Sequence, residues 1–340
     1  MNDLIIRNYE ETKEEILVDV DKDSFVVDWQ KNETWEVSFK VTKTDRNRKA
    51  FDIADYESII IWQGQHYVIK QLKSYAVGEQ LFKEVVATHI YYTVQDGFQY
   101  TEKTGTLSIT QCLQHIFSSG ARGFSYEVID PKNKFLKVEQ ENFGKNNYLK
   151  LIEEVLDDYD AVIVQNNKHL KFYPTADYGE KTNEQIRYKY NTDNVQFDID
   201  TFDLKTQIKG FGKQKEESEG GAYYFTPITY TSPQAEKWGI RIQDPVEDER
   251  YTQAGNMLAR LKKDIHDYPS ISGSTTLKWT VDLSKGDYVA FIYEPLSINT
   301  WIQVVGITEY PMIPNKPPEI ILSNTKKTMT SIIKQLLKKG

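Results

Sequence analysis

Alternation of apolar and polar side chains with a period of two recurs along most of the chain, and it restricts the fold to one built mainly from half-buried strands. Glu33 to Thr42 reads ETWEVSFKVT, with Trp35, Val37, Phe39 and Val41 on one face. Phe202 to Lys209 repeats the pattern, with Phe202, Leu204, Thr206 and Ile208 on one face and Asp203, Lys205, Gln207 and Lys209 on the other. Gly210 and Gly212 follow, where backbone bends or is closely approached. The 22 Tyr, 15 Phe and 6 Trp suit strands better than helices. At 340 residues the chain exceeds one ordinary core, so several domains are expected.

Residues 1–98 read as a first β-domain: LIIRNYEE, ETWEVSFKVT, Ser58–Trp62, a tight turn at Gln63-Gly64-Gln65, HYVIKQLKSY and KEVVATHIYY. Short strands at such spacing predict a small barrel or sandwich. Residues 99–186 form a mixed α+β unit. One helix is predicted over Thr110–Ser119, with Ile109, Cys112, Leu113, Ile116 and Phe117 on its apolar face; another spans about Asn147–Asp157. A hairpin turns at Asn166-Asn167. Strands resume at Ile186, stop at the charged loop KQKEESEGG, and return at TTLKWTVDL, YVAFIYE and WIQVVGITEYP. The reading is a second, discontinuous β-domain, 187–217 and 272–324, with 218–271 inserted as an α+β unit. Within that insertion a helix is predicted over Asp248–Asp267, buried along Ala254, Leu258, Leu261 and Ile265, with Asp248 and Glu249 at its positive end. The Phe202–Gly212 stretch is placed as the last strand of the second β-domain before the insertion. A final helix occupies 325–340.

The net charge of -8 argues against a general nucleic-acid binder. A single cysteine, Cys112, excludes an internal disulfide framework. No apolar run reaches membrane-spanning length, and the N-terminus has no signal-peptide pattern. Asp19, Asp21 and Asp23 resemble the start of a calcium loop, but Ser24 and Gln30 stand where that loop needs Gly and Glu, so a solvated turn is expected. Cys112 and His115 lie one helical turn apart; Cys112 is on the apolar stripe and reads as a small buried hydrophobe. His66, His89, His169 and His266 show no zinc spacing, and His89 reads as a satisfied core or interface residue. Asp157, Asp158 and Asp160 crowd a helix end and read as a solvated surface. Gly210-Phe211-Gly212 lacks the third glycine of a dinucleotide fingerprint. No catalytic residue, cofactor site or metal site is assigned.

Two contact surfaces remain as candidates. Tyr223, Tyr224 and Tyr230 in AYYFTPITYTSP could face a sugar or a protein, or pack inside the inserted unit. Met329, Ile332, Ile333 and Leu336 form a helical stripe with no evident intrachain partner, suited to oligomer packing or to docking back on its own domain.

The order of VATHIYYTVQDGF (86–98), IRYKYNTDNVQFDIDTFDLKTQIKGFG (186–212), SPQAEKWGI (232–240), KGDYVAFIYEPLSINTWIQVVGI (285–307) and ILSN (321–324) resembles the prophage tail endopeptidase, or tail-associated lysin, family. These are baseplate hub proteins at the tip of siphophage tails. The resemblance implies an α+β, mainly β multidomain fold with two similar small β-barrels and two peripheral α+β domains. It implies a homotrimeric ring that adapts a sixfold tail tube to a threefold tip and lines the channel for genomic DNA. The implied partners are the distal tail protein, the tape-measure protein, and receptor-binding proteins or the host cell wall. The implied location is the virion tail tip, after synthesis in the bacterial cytoplasm. The family's lytic activity belongs to a domain after the hub pattern; this chain ends at Gly340, so the expectation is a structural protein. The competing readings are a cell-surface carbohydrate binder and a cell-wall peptidase acting through Cys112 and His115.

Overall fold

The computed structural model describes residues 3–187, 190, 192–215, 221–277, 283–294 and 298–324. The predicted C-terminal helix, with Met329, Ile332, Ile333 and Leu336, lies outside them. The first β-domain contains β1 (Ile5–Arg7), β2 (Glu14–Ile16), β3 (Val26–Gln30), β4 (Thr34–Thr42), helix α1 (Arg48–Ile53), β5 (Ile59–Trp62), β6 (Gln65–Val77) and β7 (Gln80–His89). Its sheet runs β3-β4-β7-β6-β5-β1-β2, all antiparallel. The alternation predicted for β4 puts Val37, Phe39 and Val41 into the core beside Phe25, Ile60 and Ile69. Gln63 and Gly64, both at positive φ, make the turn between β5 and β6. KEVVATHIYY is a strand only to His89; Ile90–Asp96 winds into a 3-10 helix.

The α+β unit holds β8 (Phe98–Leu107), α2 (Ile109–Phe117), β9 (Ser125–Val128), β10 (Val138–Asn147), α3 (Tyr148–Asp158), β11 (Ala161–Asn166) and β12 (His169–Pro174). A capping box between Ser108 and Gln111 starts α2. The apolar faces of α2 and α3 form one core with Phe143, Leu170 and Phe172. Asn167, at φ 52°, turns the β11–β12 hairpin.

The chain then supplies β13 (Lys181–Arg187), β14 (Thr192–Asp200), β15 (Gln207–Phe211), β16 (Ile228–Thr231), the short α4 (Ala235–Trp238), β17 (Val246–Glu247), α5 (Ala254–Asp264), β18 (Ser270–Leu277), β19 (Tyr288–Tyr293), β20 (Ile298–Glu309) and β21 (Glu319–Ser323). The second sheet runs β14-β18-β21-β20-β19-β13.

The two β-domains repeat each other in detail. In each, a long strand carries a bulge at the same point: between Ile69 and Gln71 of β6, and between Val304 and Gly306 of β20. On either side of the bulge the pairings correspond. Val68 opposes Thr88 as Gln303 opposes Ser323, and Leu72 opposes Val85 as Ile307 opposes Ile320. The preceding strand corresponds too, Ile59 opposing Val68 as Tyr288 opposes Gln303. The outermost pairings differ: β1 is antiparallel to β5 and carries β2 beyond it, whereas β13 is parallel to β19.

Neither β-domain is a closed barrel among the described residues. The first sheet curls back on itself through a single bridge between Val20 and Val41. In the second, β20 extends beyond β19, and its free half is occupied by β3 of the first domain. Among the described residues the two sheets therefore merge into one sheet of 13 strands.

The Phe202–Gly212 stretch departs from its predicted place. Only Gln207–Phe211 is a strand, and it pairs with β16 and β17 of the inserted unit, apart from the large sheet. β14 is the strand that joins 192–200 to β18. Leu204, Thr206 and Ile208 are buried as the alternation requires, but Phe202 lies in a turn and is 92% exposed. The two glycines serve close packing rather than a bend. A Cβ on Gly210 would lie 2.6 Å from Met257 Sδ, and one on Gly212 would lie 2.4 Å from the Tyr251 carbonyl oxygen. Helix α5 is shorter than predicted, and its buried residues are Met257 and Leu261, with Ala254 exposed.

Candidate functional site

Several buried or partly buried polar groups meet at the joint between the two sheets. The second half of β20 runs antiparallel to β3, with Gly306 opposite Gln30, Ile307 opposite Trp29, Thr308 opposite Asp28 and Glu309 opposite Val27. Thr308 Oγ1 donates to Asp28 Oδ1 at 2.7 Å, and Lys31 N donates to the Val305 carbonyl at 2.9 Å. Trp29, contributed by the first domain, is buried in the core of the second. Trp35 packs against both cores.

Two lysines are drawn into this joint. Lys31 Nζ donates to Gln303 Oε1 at 2.8 Å, and Gln303 Nε2 donates to the Gly286 carbonyl at 2.9 Å. Burial pushes the Lys31 pKa down to about 8 against the opposing charge of Asp160. Lys285 Nζ lies 3.3 Å from the Trp35 ring centroid and 5.2 Å from that of Trp29. Burial pushes its pKa down to about 7, while Glu309 pulls the other way. The ring contacts also favour the charged ammonium. His89 stacks on Trp35 at 4.2 Å. Its Nδ1 accepts from Tyr91 N, so the ring proton sits on Nε2, which donates to Gln65 Oε1 at 3.1 Å. Burial, helped by the charge of Lys285, holds its pKa near 3 and keeps the ring neutral. His89 is thus a satisfied residue at the junction, as expected, although it ends β7 and caps the 3-10 helix rather than lying mid-strand.

Side-chain amides tie the α+β unit to the same place. Asn32, at φ 60° between β3 and β4, donates to the Ala161 carbonyl and accepts from Ile163 N. Asn167 accepts from His66 N at 2.7 Å and donates to the Gly64 carbonyl at 3.0 Å.

A second contact holds the inserted unit to the α+β unit, and it corrects one expectation. The end of α3 is a solvated acidic surface only in part: Asp157 is exposed, but Asp158 is not. The Asp158 side chain is 7% exposed, accepts from Gln140 Nε2 at 2.7 Å, and lies 3.8 Å from Arg250 Nη1 and 3.9 Å from Arg260 Nη1. Lys263 Nζ donates to the Asp157 and Asp158 carbonyls, where a cation suits a helix C-terminus. Asp248 does not start α5. Burial alone would raise its pKa, but hydrogen bonds from Arg250 outweigh that and hold it below the usual range. The acid at the head of α5 is instead Glu139, from the other unit, which accepts from Thr252 N and Asn256 Nδ2.

The remaining sequence candidates are dispersed. Cys112 is fully buried with Sγ 3.3 Å from Tyr159 Oη, and burial raises its thiol to about 11. His115 Nε2 is engaged with the Thr101 carbonyl, so the two do not form a nucleophile–base pair. Asp21 caps a 3-10 turn, and Asp19 pairs with Arg46 and accepts from Thr44. Tyr230 packs against the inserted unit's core, Tyr223 is half-buried beside Phe211, and Tyr224 is 48% exposed. No group of three or more His, Cys, Asp or Glu among the described residues could hold a metal. No described helix is long and apolar enough to cross a membrane. Lys31, Lys285, Gln303, Asn167 and Glu139 escape a reading of periodicity, because a single polar residue in a turn or strand carries no signal of what it meets across the fold.

Three sequence models of one family cover nearly the whole chain: the prophage endopeptidase tail N-terminal domain over residues 4–89, the prophage endopeptidase tail domain over 96–172, and the prophage endopeptidase tail over 180–333. No curated protein matches. Among solved structures, prophage tail protein gp18 from Listeria monocytogenes EGD-e is 52% identical, with 99% of this chain and 100% of that one covered and a TM-score of 0.89. A tail protein from Neisseria meningitidis MC58 shares the fold at 10% identity, with 95% and 96% covered and a TM-score of 0.63. The 43 kDa tail protein of prophage MuSo2 from Shewanella oneidensis does so at 11% identity, with 94% and 97% covered and a TM-score of 0.63. With its three segments matched in order and a full-length relative at 52% identity, the chain belongs to the prophage endopeptidase tail family.

Proposed function

We propose that this chain is a structural subunit of a phage tail tip, a baseplate hub that assembles as a homotrimer. The observation that carries the reading is the internal repeat: two sheets with the same strand order and the same bulge, already joined edge to edge within one chain. Three such chains give six equivalent sheets, the number needed to meet a sixfold tube while keeping a threefold tip. The distal tail protein and the tape-measure protein are the partners on either side, and the virion tail tip is the location. Genomic DNA passes through the ring without specific binding, which suits a net charge of -8.

Mass by light scattering tests this directly. A trimer that survives dilution, with a ring outline in negative-stain images, is expected; a monomer at every concentration overturns the proposal. A host-surface carbohydrate binder using Tyr223, Tyr224 and Tyr230 has weaker support, because only Tyr224 of the three is exposed. Pull-down on intact host cell walls, compared between the wild type and Tyr224→Ala, separates that reading. A cell-wall peptidase working through Cys112 is disfavoured by the buried, high-pKa thiol and the engaged His115.

A further inference from the structure

The repeat specifies which strands meet between copies. Within one chain, the part of β20 beyond its bulge receives β3. The corresponding part of β6, Gln71–Val77, is paired with β7 on one side and has no strand on the other among the described residues. An exposed edge of this length is a template for another strand unless something covers it. The strand that corresponds to β3 is β14. Glu36 of β4 pairs with both Asp28 of β3 and Thr88 of β7, and Ser272 of β18 pairs with both Asp198 of β14 and Ser323 of β21. Among the described residues β14 has one neighbouring strand, β18.

We propose that β6 of one copy pairs antiparallel with β14 of the next, repeating between copies the β20–β3 joint found within the chain. The occupant of the edge is therefore a second copy of this protein, and the inference rests on the trimeric reading above. The register follows from the repeat, since Gln71, Leu72, Lys73 and Ser74 stand where Gly306, Ile307, Thr308 and Glu309 stand. Their partners on the next copy are then Asp200, Ile199, Asp198 and Phe197, which stand where Gln30, Trp29, Asp28 and Val27 stand. The side chains suit this register. Leu72 and Ile199, each packed against its own domain's core, replace the buried pair Ile307 and Trp29. Lys73, a largely exposed cation that bridges to Glu84 of its own chain at 3.3 Å, faces Asp198 where the internal joint has the Thr308–Asp28 hydrogen bond. A cation facing an anion fixes register and partner more firmly than backbone pairing alone.

Cysteine cross-linking between separately made variants tests the register. Directly opposed residues in an antiparallel pair lie within reach of a disulfide. Lys73→Cys mixed with Asp198→Cys is expected to give covalent dimers on mild oxidation, and the chain carrying both is expected to give a ladder ending at the trimer. The native Cys112 is buried and serves as background in the unsubstituted chain. Tyr75→Cys mixed with Asp198→Cys, two residues out of register, is expected to give little product. Independently, Lys73→Glu and Asp198→Lys should each weaken trimerisation about tenfold or more, and combining them should restore it. If the wild type is trimeric in light scattering but the 73/198 pair fails to link, or links no better than 75/198, this joint is wrong while the ring stands. If the wild type is monomeric throughout, the ring reading falls and the joint with it.

Discussion

The chain contains two kinds of contact between its units, and they are built from different materials. The joint between the sheets is a backbone ladder from Gly306–Gln30 to Glu309–Val27, reinforced by the buried pair of Trp29 and Ile307. The contact between the α+β unit and the inserted unit has no ladder among the described residues; it is made of side chains, with Asp158 between Arg250 and Arg260, and Glu139 at the head of α5. A backbone ladder asks little of sequence beyond strand character, so it can recur wherever a matching edge is offered. A charge cluster is specific to its residues and docks one unit once. This difference fits a body whose sheets repeat and whose peripheral units do not.

The largest effect is expected at the joint. Trp29→Ala should cost about 3–5 kcal/mol, because it opens a cavity at a place with little room to relax. Urea unfolding should show the loss as a lower midpoint shared by probes in both sheets. A loss below about 1 kcal/mol would mean that the ladder alone holds the sheets together. Asp158→Ala comes next. Removing one partner of a buried ion pair can cost more, but both arginines keep part of their surface in water, so about 1–3 kcal/mol is expected. The effect should be local. Hydrogen exchange should accelerate over Gln207–Asp264 while the large sheet keeps its protection. Equal loosening of both would remove the distinction between the two contacts.

Much of this architecture is legible in the sequence, and the omissions have a common cause. Alternation in β4 and the 3-4 spacing of Cys112, Leu113 and Ile116 report which face of an element is buried, and both faces are placed as read. Burial does not report the partner. The alternation of Leu204, Thr206 and Ile208 is real, yet it faces α5 and its neighbours rather than the second sheet, because one apolar face fits either core. Closure fails for the same reason. Strand count and turn spacing suggest barrels, but the destination of the far half of β20 depends on an edge contributed from more than 270 residues away in sequence, as the Thr308–Asp28 bond shows. Asp158 reads as solvated together with Asp157 and Asp160 because the arginines that neutralise it lie in a unit about 90 to 100 residues further on, a separation within ordinary domain spacing.

The smallest effect should come from the two lysines of the joint, and its sign follows from their direction of shift. Lys285 falls from an ordinary 10.5 to about 7 on folding, and Lys31 to about 8. Between these values and 10.5 the unfolded chain holds protons that the folded one has released, so stability rises with pH across that window. Below about 7 the cost of charging both groups is fully present. His89 adds a separate loss at the acid end, as pH falls from its ordinary 6.5 towards about 3. The urea midpoint should therefore climb from pH 7 to pH 10. Lys285→Met should raise it at pH 7 by an amount on the order of 1 kcal/mol, after discounting for the lysine's partial exposure and lost ring contacts, and should flatten the climb. Lys49→Met, at an exposed position on α1, is the control and should leave the slope unchanged. A slope unaltered by Lys285→Met would mean that its ammonium stays charged against Trp35, and that the joint tolerates the cation without penalty.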